Sequence, residues 1–231
     1  MTAPIAIVAG SGIDLRPLLD ELVETVSFEM AGVPHGHIVG HSHRFYLGRT
    51  GTQEIILQCG RLHAYEGFGL ADIVRPLAWL RERGVGAVVF TNAVGALQPA
   101  HAPGALLAID AIHPWAYRRF PLPDRLQTSF TVPGCDGTGD YVWMHGPCYE
   151  TRAEIEVLQR TGAVAVGMST APELAKALDF GIEAAVISCV TNNCCIPQKL
   201  THDHVVETAA RTSIRLCSVL RAWLCESDGS D

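Results

Sequence analysis

Apolar residues in this chain fall into short runs separated by glycine-containing turns, with longer amphipathic stretches between them. Ile5-Ala6-Ile7-Val8-Ala9 followed by Gly10-Ser11-Gly12 reads as a buried strand ending in a tight turn. Residues 15–24 (LRPLLDELVE) place apolar side chains at helical spacing. HRFYLGRT and QEIILQC, within 43–59, predict two strands joined by a glycine-containing turn. A helix is expected over 70–83 despite Pro76, with Gly84 as its stop. Ala87–Phe90 predicts a strand that runs into Thr91-Asn92-Ala93-Val94-Gly95, and ALLAI (105–109) predicts another, ending at Asp110.

From 113 to 139 no period is visible and a loop is expected; strand returns over Tyr141–Met144. Thr151 and Glu154 fit the capping box [ST]-x-x-[DE] and predict a helix from about 152 to Gly162. Two more short strands are expected at 163–166 and 184–190, with a helix near 172–180 between them. The tail, 203–225, reads as a long amphipathic helix. Buried strands alternating with helices predict an α/β layered fold with a largely parallel sheet. No internal repeat or linker interrupts the pattern, so residues 1–231 are expected to form one domain.

Polar residues follow five of the strands: Gly10-Ser11-Gly12, Arg61 with His63, Thr91-Asn92, Met168-Ser169 and Thr191-Asn192. Ligands of such sheets sit beyond the carboxyl ends of the strands, so this convergence is the main sign of a site. Ser11 between glycines suits a phosphate-sized anion, and the Arg61 guanidinium can grip two oxygens at once. Taken alone, Gly-Ser-Gly after a strand is more often only a turn. A nucleoside-triphosphate loop is excluded because no lysine follows the glycines. A dinucleotide fingerprint fails because Leu15 stands where a third glycine is needed.

Composition narrows the classes further. The chain is 48% hydrophobic and 18% charged, with 22 glycines, which describes a globular protein rather than a disordered one. Its net charge of −7 gives no whole-chain footprint for nucleic acid, although Tyr117-Arg118-Arg119 can meet a small anion. Neither a leader peptide nor a stretch long enough to span a membrane is evident, and the eight cysteines read as mostly reduced thiols. A soluble, cytoplasmic protein is expected. Four histidines (35, 37, 41, 43) lie close together, but no carboxylate or cysteine set with zinc-like spacing accompanies them. Adjacent Cys194 and Cys195 are poorly placed to chelate one ion, so no metal site is expected.

Glu150 has no such structural task. It precedes the helix cap and sits beside Tyr149. The stretches IAIVAGSG, GHSHRFYLG, LQCGRLHAYEG, VVFTNAVGAL, HGPCYETRAEI, GAVAVGMSTAPEL and VTNN, in that order, make the chain resemble the trimeric purine nucleoside phosphorylases, a family that includes methylthioadenosine phosphorylases. The resemblance implies a three-layer α/β/α fold around a mixed, largely parallel sheet. It implies phosphate binding by Ser11, Arg61, His63, Asn92, Ala93 and Ser169, with His41 close by. Tyr65 and Met168 would meet the ribose, with His202 near its 5′-hydroxyl. Tyr149 would pack on the purine and Glu150 would accept a hydrogen bond from its N1–H.

Asn192 would face N7 and the 6-substituent. The methylthioadenosine branch typically has Asp there, so Asn192 favours a 6-oxopurine. Asn192, Glu150 and His63 are the residues the resemblance makes catalytic. It implies phosphorolysis of a 6-oxopurine nucleoside by a homotrimer, with inorganic phosphate as co-substrate and no metal or organic cofactor. A 5′-methylthionucleoside phosphorylase and a catalytically weak nucleoside-binding protein are the alternatives.

Three departures stand out. The 113–146 segment is shorter than in the full-length nucleoside phosphorylases and lacks their aromatic that reaches a neighbouring subunit. Trp115, Tyr117, Phe120 and Phe130 are the candidates to replace it. The chain begins at its first strand, without the family's helical lead. Asn193-Cys194-Cys195 stands where a lysine and apolar residues are usual.

Overall fold

The computed structural model describes residues 3–36, 42–115, 120–196 and 202–227. Ten strands form one sheet: β1 (Ile5–Ala9), β2 (Glu21–Ser27), β3 (Arg44–Thr50), β4 (Gln53–Cys59), β5 (Ala87–Ala96), β6 (Leu106–Pro114), β7 (Leu126–Gln127), β8 (Gly137–Trp143), β9 (Ala165–Gly167) and β10 (Glu183–Asn193). Five helices accompany them: α1 (Leu70–Ile73), α2 (Arg75–Glu82), α3 (Arg152–Gln159), α4 (Ala171–Asp179) and α5 (His202–Ser227). The strand order is β10-β6-β8-β9-β5-β1-β4-β3-β2, with β7 beside β6. β10 also pairs with β5, so β5, β10, β6, β8 and β9 close into a ring from which the other strands extend as a twisted sheet. The sheet is mixed: β1 lies parallel to β4 and β5, and β5 to β10, whereas β2, β3 and β4 are antiparallel.

Strand alternation explains the layers. Successive side chains on a strand point to opposite faces. Ala6, Val8, Val88, Phe90, Ala184 and Val186 therefore join one core with Leu77 and Leu80 of α2 and Leu174 and Ala177 of α4. Ile7, Ala9, Val89, Ala185 and Ile187 join the other with Ala209, Leu216, Leu220 and Leu224 of α5. Burying each of the larger side chains among them, Val, Leu, Ile and Phe, is worth about 1.5–3 kcal/mol. Helices thus cover both faces of the central strands. Among the described residues, no helix is long and apolar enough to cross a membrane.

The helix expected over 15–24 is a correction. Only Arg16–Leu18 makes a short 3-10 turn, and β2 begins at Glu21. Leu15 and Leu18 are buried, but Leu22 and Val23 are exposed, so the helical apolar stripe has no common core to face. Pairing with β3 and the β-branched Thr25 and Val26 favour an edge strand instead. Strands β5, β6 and β10 run beyond their apolar stretches, carrying Thr91, Asn92, Asp110 and Asn192 as strand residues. The loop expected over 113–139 holds the short strand β7 and the start of β8.

Candidate active site

The β1 turn approaches β5 so closely that a side chain is excluded. A Cβ on Gly10 would lie 2.8 Å from Asn92 Cα, and one on Gly12, whose φ is +73°, would lie 2.7 Å from Val206 O. This brings Ser11 to the wall of a cleft of about 650 Å³, within the range typical of small-molecule sites. Ser11, Arg61, His63, Tyr65, Ala93, Tyr149, Glu150, Met168, Ser169 and Asn192 all line it. The cleft therefore gathers the strand ends in one place. His41 lies outside the described residues, and of His202 only its place at the start of α5 is described.

Arg61 is almost fully buried. Its Nε donates to Glu173 Oε1 at 3.0 Å, and its Nη1 donates to Thr91 O at 3.1 Å and Ser169 Oγ at 3.2 Å. Nη2 is buried with no protein partner. On β5 the cleft is lined by Ala93, Val94 and Gly95. Asn92 is not at the cleft wall as expected for a phosphate ligand; its Nδ2 donates to Thr170 Oγ1 at 3.0 Å. His63 Nδ1 lies 3.1 Å from Glu66 Oε1, and its ring stacks on Tyr65 with centroids 4.9 Å apart. Burial, followed by the charge of Glu66, raises the Tyr65 phenol, which keeps it a neutral donor. A Cβ on Gly146 would meet Met168 Sδ at 2.5 Å and Tyr65 Cδ1 at 2.8 Å, so a side chain there would displace the pair facing it.

The two glutamates of HGPCYETRAE part company. Glu154 closes the capping box: its Oε2 accepts the Thr151 N–H at 2.7 Å, while Thr151 Oγ1 accepts the Glu154 N–H at 3.3 Å. Glu150 lines the cleft instead, with Oε1 buried and unpartnered. Burial raises its pKa, a hydrogen bond from its own backbone opposes this, and the Glu154 charge adds to the rise. Tyr149 beside it is partly exposed and offers a ring face to the cleft.

Asn192 sits 3.0 Å from Thr191 Oγ1, which lies 3.1 Å from Val94 O; its other end lies 3.5 Å from Cys194 Sγ. A hydroxyl has one proton. That proton goes to Val94 O or to Asn192 Oδ1, and Nδ2 is the end of the amide that faces the Cys194 thiol. Asn192 lines the cleft, and its amide carries both donor and acceptor capacity. Cys194 and Cys195 are half-buried and both line the cleft. Burial first, then the Glu150 charge, pushes the Cys194 thiol up to about 12, so it stays protonated.

Of the aromatics considered for a neighbouring subunit, Phe120 is buried and stacks on Trp143, and Phe130 stacks on Trp223. Both are used within the chain. Trp115 lines a smaller cavity shared with Tyr149 and Glu150, and Tyr117 lies outside the described residues. Sequence reasoning missed Glu173. Its signal was a second T-x-x-E, Thr170 to Glu173, at the start of α4.

The Phosphorylase superfamily model matches residues 4–134 and 137–224. The chain is 30% identical to purine nucleoside phosphorylase 1 of Geobacillus stearothermophilus, over 96% of this chain and 90% of that protein. It is 32% identical to the purine nucleoside phosphorylase of Mus musculus, over 94% and 87% respectively. The fold matches Schistosoma mansoni purine nucleoside phosphorylase in complex with inosine at a TM-score of 0.82, with 24% identity, over 96% of this chain and 89% of that one. With the family model matching nearly its whole length and a relative 30% identical over almost all of both chains, the chain belongs to the phosphorylase superfamily, alongside its purine nucleoside phosphorylases.

Proposed function

We propose that the chain catalyses phosphorolysis of a 6-oxopurine nucleoside, releasing the free base and ribose 1-phosphate. One observation carries the reading: the same cleft holds a buried guanidinium nitrogen, Arg61 Nη2, and a buried carboxylate oxygen, Glu150 Oε1, each without a protein partner. Unsatisfied buried groups of this kind cost about 1–3 kcal/mol each, which a ligand with an anionic group and an N–H donor recovers. Phosphate and a purine N1–H supply those two features.

In this reading Arg61, Ser11, Ser169 and His63 hold phosphate, with the backbone at Ala93. Tyr65 and Met168 face the ribose, and Tyr149 packs on the base. The C1′–N9 bond breaks with its electron pair passing to the purine, and a phosphate oxygen closes on C1′ from the opposite side with inversion. Negative charge grows on the base as the bond lengthens. Glu150 fixes the N1–H edge, while the Asn192 amide donates to the base edge where charge builds, so both act on the transition state more than on bound substrate. An amide satisfies a 6-oxo group and N7 together, which favours hypoxanthine or guanine over adenine. The names of the related proteins support the same chemistry. The resemblance also supports a homotrimer, which light scattering of the purified chain tests.

Base release from inosine, guanosine, adenosine, methylthioadenosine and methylthioinosine, each with and without phosphate, tests the proposal. Phosphate-dependent release fastest from inosine or guanosine is expected. Release from none of them, by folded protein, would overturn it.

A further inference from the structure

The Arg61–Glu173 pair stands behind the cleft wall, with side chains 1% and 4% exposed. A carboxylate beside an anion site weakens the local positive potential, so anion attraction alone gives no reason for its presence. Its hydrogen bonds do. Oε1 accepts from Arg61 Nε, and Oε2 accepts the Thr170 N–H at 3.0 Å. Thr170 is a buried β-branched residue at φ +80°, a conformation that costs about 1–3 kcal/mol and persists only where its surroundings hold it. On its other side, Thr170 Oγ1 accepts from Asn92 Nδ2. A continuous chain of bonds therefore links Asn92 on β5, Thr170 and Glu173 at the start of α4, and Arg61 after β4.

The guanidinium is planar, so its orientation is set once Nε meets Glu173 and Nη1 meets Thr91 O and Ser169 Oγ. What is left over is Nη2. We propose that Glu173 is a positioning residue for anion binding: through Arg61 on one side and the strained Ser169-Thr170 turn on the other, it holds a guanidinium N–H and a serine hydroxyl toward the same anion. Asn92 acts in the same network from behind Thr170. This inference rests on the reading that the cleft takes inorganic phosphate.

Glu173→Gln separates positioning from simple electrostatics. The neutral amide removes a negative charge near the anion, so electrostatics alone predicts tighter phosphate binding. Positioning predicts weaker binding, because in either orientation the amide leaves one of the two donors, Arg61 Nε or the Thr170 N–H, without its acceptor. With inorganic phosphate titrated at saturating inosine, KM for phosphate should rise roughly tenfold, the scale expected when a charge-assisted hydrogen bond is misaligned. KM for inosine should stay within about twofold, and the stabilisation of the folded protein by inorganic phosphate in thermal melts should shrink in step. An unchanged or lower KM for phosphate, or an equal rise in both KM values, would overturn the inference. Should Glu173→Gln not fold, Asn92→Ala takes its place, with a rise in phosphate KM of about threefold expected and no rise contradicting the network. Wild-type protein whose base release ignores phosphate would overturn this inference together with the reading beneath it; a phosphate-dependent wild type with unaffected variants would overturn the inference alone.

Discussion

Glu154 Oε2 accepts the backbone N–H of Thr151 at 2.7 Å, and the threonine hydroxyl returns a bond to the Glu154 N–H. That reciprocal pair closes the first turn of α3, and the hydrogen bonds hold the Glu154 carboxyl below its ordinary pKa. Glu150, four residues earlier, is held above it by burial. Two like residues thus serve different ends.

Thr151→Ala should cost about 1 kcal/mol in denaturant unfolding while leaving base release within about twofold, because it removes only an N-cap. Glu150→Ala should lower kcat/KM by about a hundredfold or more, the usual scale for losing a group aimed at developing charge. Measured side by side, the opposite pattern would mean the roles are exchanged.

A pH dependence follows from Glu150. Its folded pKa lies above the unfolded value, so its contribution to stability is fullest below the ordinary carboxylate range and is lost as pH rises through the folded value. Glu150→Gln, which cannot ionise, should therefore be more stable than wild type at neutral pH. The difference should shrink as pH falls through the raised folded value and be gone below 4.5, the carboxyl's ordinary value. Thermal melts across that range check it; a variant less stable at every pH would show that Glu150 supports the fold in its ionised form.

On the proposed reading, base preference turns on Asn192. Asn192→Asp replaces a donor-acceptor pair with acceptors only, beside the Thr191 hydroxyl and the Cys194 thiol. The kcat/KM ratio of inosine to adenosine should fall by at least about tenfold, since a mismatched site leaves buried polar groups unpaired. A ratio that does not move would show that the amide does not read the 6-position.

Gly95 sets the depth of that part of the cleft. A Cβ there would lie 2.5 Å from Cys194 Sγ and 3.1 Å from Asn192 Nδ2. Gly95→Ala alone should raise KM for inosine severalfold by pushing the thiol and amide inward. Cys194→Ala should restore much of the loss, a coupling that a double-mutant cycle measures. Purely additive effects would place the clash elsewhere.

Much of this arrangement was legible in the residues. Ser11, Arg61, Ala93 and Asn192 meet in one cleft because parallel strands β1, β4, β5 and β10 all point their carboxyl ends the same way. The Thr151–Glu154 cap was readable because a capping box is a local device. What was not readable depends on long-range pairing. The β10–β5 contact that closes the ring joins residues about a hundred positions apart, and the 15–24 stretch carries a helical period that pairing with β3 overrides. Ala93 lines the cleft while its neighbour Asn92 is taken up by a hydrogen bond to Thr170, a long-range contact that the sequence does not display. Glu173 is a first-turn carboxylate of α4 by its sequence position. Its link to Arg61 crosses 112 positions and exists only in the folded chain.

The most direct test of the central claim follows the phosphate itself. Purified protein is incubated with inosine and isotopically labelled inorganic phosphate, and hypoxanthine and labelled sugar phosphate are counted together. Phosphorolysis predicts ribose 1-phosphate and hypoxanthine in equal amounts, with neither formed when phosphate is withheld. Hypoxanthine released without label entering the sugar would mean that water is the nucleophile, and would contradict the account.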